Sequence, residues 1–405
     1  MRQFVLLLMC CLPISVSADE WAQWLGPNRD GSSTEVIAPW NGTLKTLWRQ
    51  SVGEGHSSPV VAKGKVYLHS KVRDSEREQV AAFDASSGKL LWRQEYDRPQ
   101  FRNIFGNGPR STPLVDEGLL YTLGATGILT CWDAESGAQR WQIPLLKDFN
   151  ATNLFFGVST SPLVVEGVLL VMVGGKNASI VALDKKTGKL RWQAGNDKAS
   201  YASPMLLTQG ATRLAVFLTA AHLAALDPKS GDVIWQTPLK DLLNESSSTP
   251  VRADDFLFAT SVTYGGVLYK FVQKAGKQDV DRIWHKKELT CYFGTPIAIG
   301  DHLYIVTGSY QKPQANLHCV ELKTGTVKWT KEKVGKFHAT LLRVKDRLLM
   351  LEEDGELVLI DPNPGDYREL ARSKVCNRTW AHPALSDGRF FIRDSNSLIC
   401  VLLRE

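Results

Sequence analysis

The chain has 405 residues, 43% of them hydrophobic and 22% charged, with a formal net charge of +6. This is a globular composition, and a mild charge without any basic run gives no indication of nucleic-acid binding. Beyond residue 18 no stretch approaches 18 consecutive apolar residues, so a membrane-spanning helix is excluded from the rest of the chain.

Residues 1–18 read as a secretory signal. Arg2 is the positive start, Phe4 to Leu12 is a short apolar core, and Val16, Ser17 and Ala18 are small residues at a cleavage point. The expected location is periplasmic or secreted. A lipid-anchored alternative rests on Leu7, Leu8, Met9 and Cys10, but Met9 is larger than the residue normally found before a lipidated cysteine. Residues 19–39 form an N-terminal extension, in which Trp21 and Trp24 are expected to dock on the body of the fold. Lys45 to Ser51, KTLWRQS, then reads as a strand without companions.

From residue 56 the chain repeats itself. A small residue and a proline open an apolar run at Pro59, Pro113, Pro162, Pro204, Pro250, Pro296 and Pro383, with Thr340 in the same place at an eighth start. Proline at the first residue of a strand loses no ladder hydrogen bond. Each start leads to a turn sentence: AFDASSGKLLW at Ala82, CWDAESGAQRW at Cys131, ALDKKTGKLRW at Ala182, ALDPKSGDVIW at Ala225 and CVELKTGTVKW at Cys319. The acid accepts bonds inside the turn, and the glycine takes a positive φ. Leu190 and Trp192, alternating with Lys189 and Arg191, predict a half-buried strand after the turn. Blade five departs from the pattern, with AGKQDVD where the turn should be. Blade seven keeps Asp361 and Gly365, and Glu369 and Leu370 are expected at the tryptophan register.

The starts lie 42 to 54 residues apart, the period of a four-stranded propeller blade. The fold expected over residues 40–405 is therefore an all-β, eight-bladed propeller. Residues from His382 onward supply only three strands, so the lone strand around Trp48 is expected to complete the last blade and close the ring. Trp92, Trp141, Trp192, Trp235, Trp284 and Trp329 are expected to dock neighbouring blades. Cys131, Cys319 and Cys400 occupy equivalent strand positions in blades that are not neighbours, and read as buried apolar residues. Cys291 and Cys376 also lie in blades that are not adjacent, which disfavours a disulfide between them.

The repeated turn sentence, best preserved at Ala182 to Trp192, resembles the pyrroloquinoline-quinone repeat of quinoprotein-type eight-bladed propellers. The resemblance covers nearly all of the chain after residue 18. In size it resembles the outer-membrane assembly factor BamB family and secreted quinone-repeat propellers. The quinoprotein dehydrogenases share the ring and are generally longer. Their resemblance implies a quinone held against a bridge of adjacent cysteines, with calcium nearby. The only adjacent pair here is Cys10 and Cys11, inside the signal segment. No quinone, haem or metal is therefore expected, because C-x-x-C-H, H-E-x-x-H and clustered Cys/His spacings are all missing from the sequence.

Aligning the eight starts gives a candidate site. Three places before each proline or Thr340 stand His56, Arg110, Ser159, Tyr201, Ser247, Phe293, Phe337 and Trp380. The first strand of a blade is innermost, so this column should ring the channel mouth. Four aromatic residues with His56 and Arg110 suit a ring-shaped or anionic ligand. The competing reading is that the aromatics plug the channel and Arg110 caps a carbonyl. His338 and His382 lie beside the column, and two histidines alone make a poor metal site. The column nearest the prolines is rich in hydroxyls, which are expected to bond backbone at the strand entry. These residues predict a monomeric, non-catalytic scaffold binding an envelope protein or a small ligand. The alternatives are a quinone-dependent dehydrogenase and a carbohydrate-binding or carbohydrate-processing accessory protein.

Overall fold

The computed structural model describes residues 20–404 except 211, 309, 311 and 312. The expected signal segment, with Cys10 and Cys11, lies outside the described residues. Eight sheets stand around one axis. Each blade runs antiparallel from an inner strand such as Val60–Ala62 to an outer strand such as Leu90–Asp97. Thr46–Ser51 pairs with Ser397–Leu402, so blade eight is completed from the N-terminal side and the ring closes as the sequence implies. The fully buried Arg393 reinforces that junction, donating to the Gly53 carbonyl at 2.7 Å. Blade seven gains a fifth strand, because Ser32–Ser33 adds in parallel to its inner edge.

The apolar core lies between blades. One cluster joins Leu123 and Val181 of blades two and three, another joins Leu218 and Val267 of blades four and five, and a third joins Val306 and Val358 of blades six and seven. The turn sentence explains the docking. In blade three, Asp184 Oδ1 accepts from the Thr187 N–H at 2.9 Å, and Gly188 takes φ +71°. A Cβ on Gly188 would stand 2.9 Å from the Trp141 ring of blade two. The tryptophan therefore lies flat on the next blade's turn, where only glycine leaves room. The indole N–H groups of Trp48, Trp92, Trp192, Trp284 and Trp329 donate to carbonyls of the following blade's turn at 2.8–3.2 Å. Blade five lacks that turn; it is a long hairpin, Gly265–Lys274 and Lys277–Lys286, turning through Ala275 and Gly276 at φ +48° and +76°. Trp235 consequently donates to Gln209 of its own blade instead.

Two sequence expectations require correction. The alternation placed Leu190 and Trp192 on one face, but Leu190 is 49% exposed. The outer strand bulges at Arg191, so Leu190 pairs with Leu183 and Trp192 with Ala182, on opposite faces. The same bulge precedes this register in all eight blades. In blade seven the turn is longer. Leu359 pairs with Ala371, so Ala371, not Glu369 or Leu370, holds the tryptophan register. The five cysteines of the described residues, Cys291 and Cys376 included, are buried and free.

Candidate functional site

The N-terminal extension lies inside the ring. The Trp21 carbonyl accepts from Val61 of blade one and the Ala22 carbonyl from Val115 of blade two. The buried Arg29 donates to Pro162 and Pro204 carbonyls of blades three and four, both at 2.9 Å. The Trp24 indole N–H donates to Thr249 of blade five at 2.9 Å, and its ring stands 4.4 Å from His382 of blade eight. Gly31 fits against Ile297 and Leu341 of blades six and seven. The segment touches every blade and forms a floor across the channel. Trp21 and Trp24 dock as expected, and Trp21 is 2% exposed.

Above this floor lies a chamber of about 120 Å³ lined by Trp24, His56, Phe105, Arg110, Tyr201 and Trp380, with Phe156, Ser159, Ser203, Glu245, Ser247, Phe293 and His382 completing the wall. Seven of the eight column residues reach it. Phe337 instead packs beneath Tyr310 and Trp380 beside a small neighbouring void. His338 is buried against Phe293 and does not line the chamber. His382 does, beneath Trp24. The hydroxyl column behaves as expected at three junctions: Ser161, Ser203 and Thr295 each accept a backbone N–H from the preceding blade.

The roof comes from connections rather than blades. Phe105 stands 6.0 Å from Trp380, 5.7 Å from Phe156 and 6.4 Å from Tyr310, so connections from four parts of the ring meet over the channel. The loop carrying Phe105 is held from below. Buried Glu78 accepts from Arg98 at 3.0 Å, and Arg98 also donates to the Asn107 carbonyl at 2.7 Å. Glu54 accepts the Asn107 N–H at 2.6 Å. Phe105, Phe156, Ser203, Glu245 and Trp24 were not among the sequence candidates. The signal for Phe105 and Phe156 is aromatic residues in Asn- and Gly-rich loops, FRNIFGNG and NLFFG, where polar turns would be ordinary.

Electrostatically the chamber holds one cation and one carboxylate. Arg110 donates to the carbonyls of Gly108, Phe105 and Gly106 at 3.1, 3.4 and 3.0 Å, and burial lowers its pKa to about 10, so it stays charged. Carbonyl capping and exposure to the chamber thus coexist in one side chain. His56 Nε2 lies 2.9 Å from the Phe105 carbonyl, and its ring stacks on Trp380 at 5.3 Å. Burial, then the Arg110 charge, pushes His56 down to about 3, leaving it neutral. Its Nε2 is therefore the protonated donor. Glu245 accepts from Tyr292 at 3.1 Å, and burial raises its carboxyl above the ordinary range.

A family model described as outer membrane protein assembly factor BamB matches residues 32–100 and 76–331. The chain belongs to this BamB family. BamB of Yersinia pestis is 26% identical over 231 residues, 56% of this chain and 54% of its own length, so the chain spans about half of that relative. BamB of Moranella endobia is 22% identical over 307 residues, covering 71% of this chain and 73% of its own. Quinoprotein alcohol dehydrogenase PedH of Pseudomonas putida is 28% identical over 163 residues, 35% of this chain and 25% of its own. Among solved structures, BamB from Moraxella catarrhalis superposes with a TM-score of 0.62 at 16% identity, covering 89% of this chain and 98% of that one. Quinohemoprotein alcohol dehydrogenase from Comamonas testosteroni gives 0.66 at 14% identity, covering 95% and 80%. At these identities the likeness is one of fold.

A quinone with its calcium does not fit these side chains. The described cysteines are separate and buried, so none forms an adjacent bridge. Among the described residues, no three His, Cys, Asp or Glu side chains come together to hold a metal ion. Glu245 is the single carboxylate on the chamber wall, and it is already bonded to Tyr292.

Proposed function

We propose that this chain is an exported, non-catalytic binding propeller of the cell envelope whose partner is another envelope protein. The observation that carries the reading is the rim of the roofed mouth. Ile104, Phe155, Leu242, Leu243 and Tyr310 are 87%, 67%, 75%, 48% and 63% exposed, and all sit in connections at that one end. Among the described residues, the remaining exposed large apolar side chains are Val36 and repeats of the outer-strand register, Leu90, Leu91, Leu190, Val233, Ile283 and Val327. Apolar side chains gathered at one mouth and surrounded by polar surface suit a protein contact. The names of the BamB relatives, assembly factors of outer membrane protein, point to the same class of partner.

The chamber supports the non-catalytic half. A neutral histidine bonded to a carbonyl and a lone carboxylate bonded to a tyrosine form no acid–base pair around a reacting atom. The test is reconstitution of the purified protein with pyrroloquinoline quinone and calcium, followed by dye reduction with alcohols or sugars as substrate. No substrate-dependent reduction is expected. Sustained turnover would replace this reading with an oxidoreductase.

A further inference from the structure

We infer that the chamber is a binding site for one small monoanionic carboxylate with an apolar or aromatic body. This rests on the reading of the mouth as a binding face, but adds a ligand distinct from the protein partner. A guanidinium has five N–H groups, and three of those on Arg110 reach carbonyls. Among the described residues, one Nη1 proton and the Nε proton have no protein acceptor. Tyr201 accepts from the Phe156 N–H at 3.2 Å, which leaves its own O–H to donate. Ser203 likewise accepts from Ser161 at 2.9 Å and keeps its O–H. Ser159 and Ser247 donate to the carbonyls of Gly157 and Tyr292 and so present only lone pairs to the chamber, and Glu245 accepts from Tyr292 through one of its oxygens.

Arg110 thus brings unspent donors to a wall that also holds those of Tyr201 and Ser203, and among the described residues it forms no ion pair. A half-buried guanidinium attracts an anionic oxygen group through charge-assisted bonds. The rest of the lining is aromatic: Trp24, Phe105, Phe156, Phe293 and Trp380. Such walls favour a flat or apolar body. A single cation, with Glu245 on the same wall, matches one negative charge and disfavours a polycarboxylate. The burial that holds His56 neutral removes a second cation from the account.

The test uses three probes of one shape: 1-naphthoate, 1-naphthalenemethanol and 1-naphthylmethylammonium, titrated into the full chain by calorimetry. Naphthoate is expected to bind at least tenfold more tightly than the alcohol, with the ammonium weakest. Arg110→Gln should reduce that preference to less than threefold. Because Arg110 also caps the Phe105 loop, Ser203→Ala and Arg110→Lys serve as second variants. Ser203→Ala should weaken naphthoate alone, and Arg110→Lys should retain a preference for it. Equal binding of naphthoate and the alcohol by the unaltered protein, or no binding of either, overturns the inference. Loss of the chamber ligand would leave rim capture of an envelope protein intact, so the two readings fail separately.

Discussion

Gly188 and Gly64 share a left-handed backbone, at φ +71° and +70°, but only Gly188 faces a tryptophan ring. Alanine at Gly64 meets open space and should cost about 1–2 kcal/mol of backbone strain. Alanine at Gly188 adds an overlap with Trp141, for a total of about 2–5 kcal/mol. Urea midpoints of the two variants compare them directly, and equal losses would deny the tryptophan–turn packing. A second residue-scale effect is titration. Burial pushes His56 and His382 down to about 3, and His69 and His338 to about 4, from 6.5. The unfolded chain then binds protons that the native state refuses, so stability is full above pH 6.5 and declines as pH falls towards 4. The turn acids act lower: hydrogen bonds hold Asp84 and Asp133 at about 2, so their contribution is lost only below 3.8. Denaturant melts at pH 7.5, 6.0 and 5.0 should therefore show a decline before the turn acids titrate. A flat profile would mean that these histidines are not buried neutral.

At the scale of single elements, the strand Thr46–Ser51 completes blade eight, and its Trp48 is 8% exposed against the turn of blade one. Trp48→Ala should cost about 3–5 kcal/mol, since a buried tryptophan leaves a cavity that its surroundings fill only in part. Removing residues 20–50 takes the strand and the channel floor together, and exposes the edge of Ser397–Leu402 to other chains. The expected product aggregates; a monomer with unchanged melting would contradict closure. The strand and its role were legible in the sequence because KTLWRQS repeats the outer-strand pattern and the last blade is one strand short. The bulge before each tryptophan was not legible, since skipping Arg191 leaves the apparent alternation intact while reversing the face of Leu190. Ala371 was hidden for a related reason: a longer turn shifted the register, and alanine carries no signature.

For the whole molecule, the ring is a repeated statement and the site is not. The eight inner strands fix His56, Arg110, Tyr201, Phe293 and Trp380 at one height, and the repeat register alone located them. The floor and roof come from segments that occur once. Arg29 and Trp24 span the channel through contacts with distant blades, and Phe105 and Phe156 arrive on connections of unequal length, so no periodicity could place them. The resulting molecule is closed at its floor, roofed by aromatics and apolar around the roofed rim. The central claim is that this rim docks another envelope protein. It is tested most directly by a photo-reactive phenylalanine analogue placed at position 155 or 242, with position 186 on the opposite turns as control, in cells of the source organism. The account predicts one discrete crosslinked envelope protein from 155 and 242 and none from 186. Crosslinks from 186 alone, or none from the rim while the protein is present and folded, would contradict it.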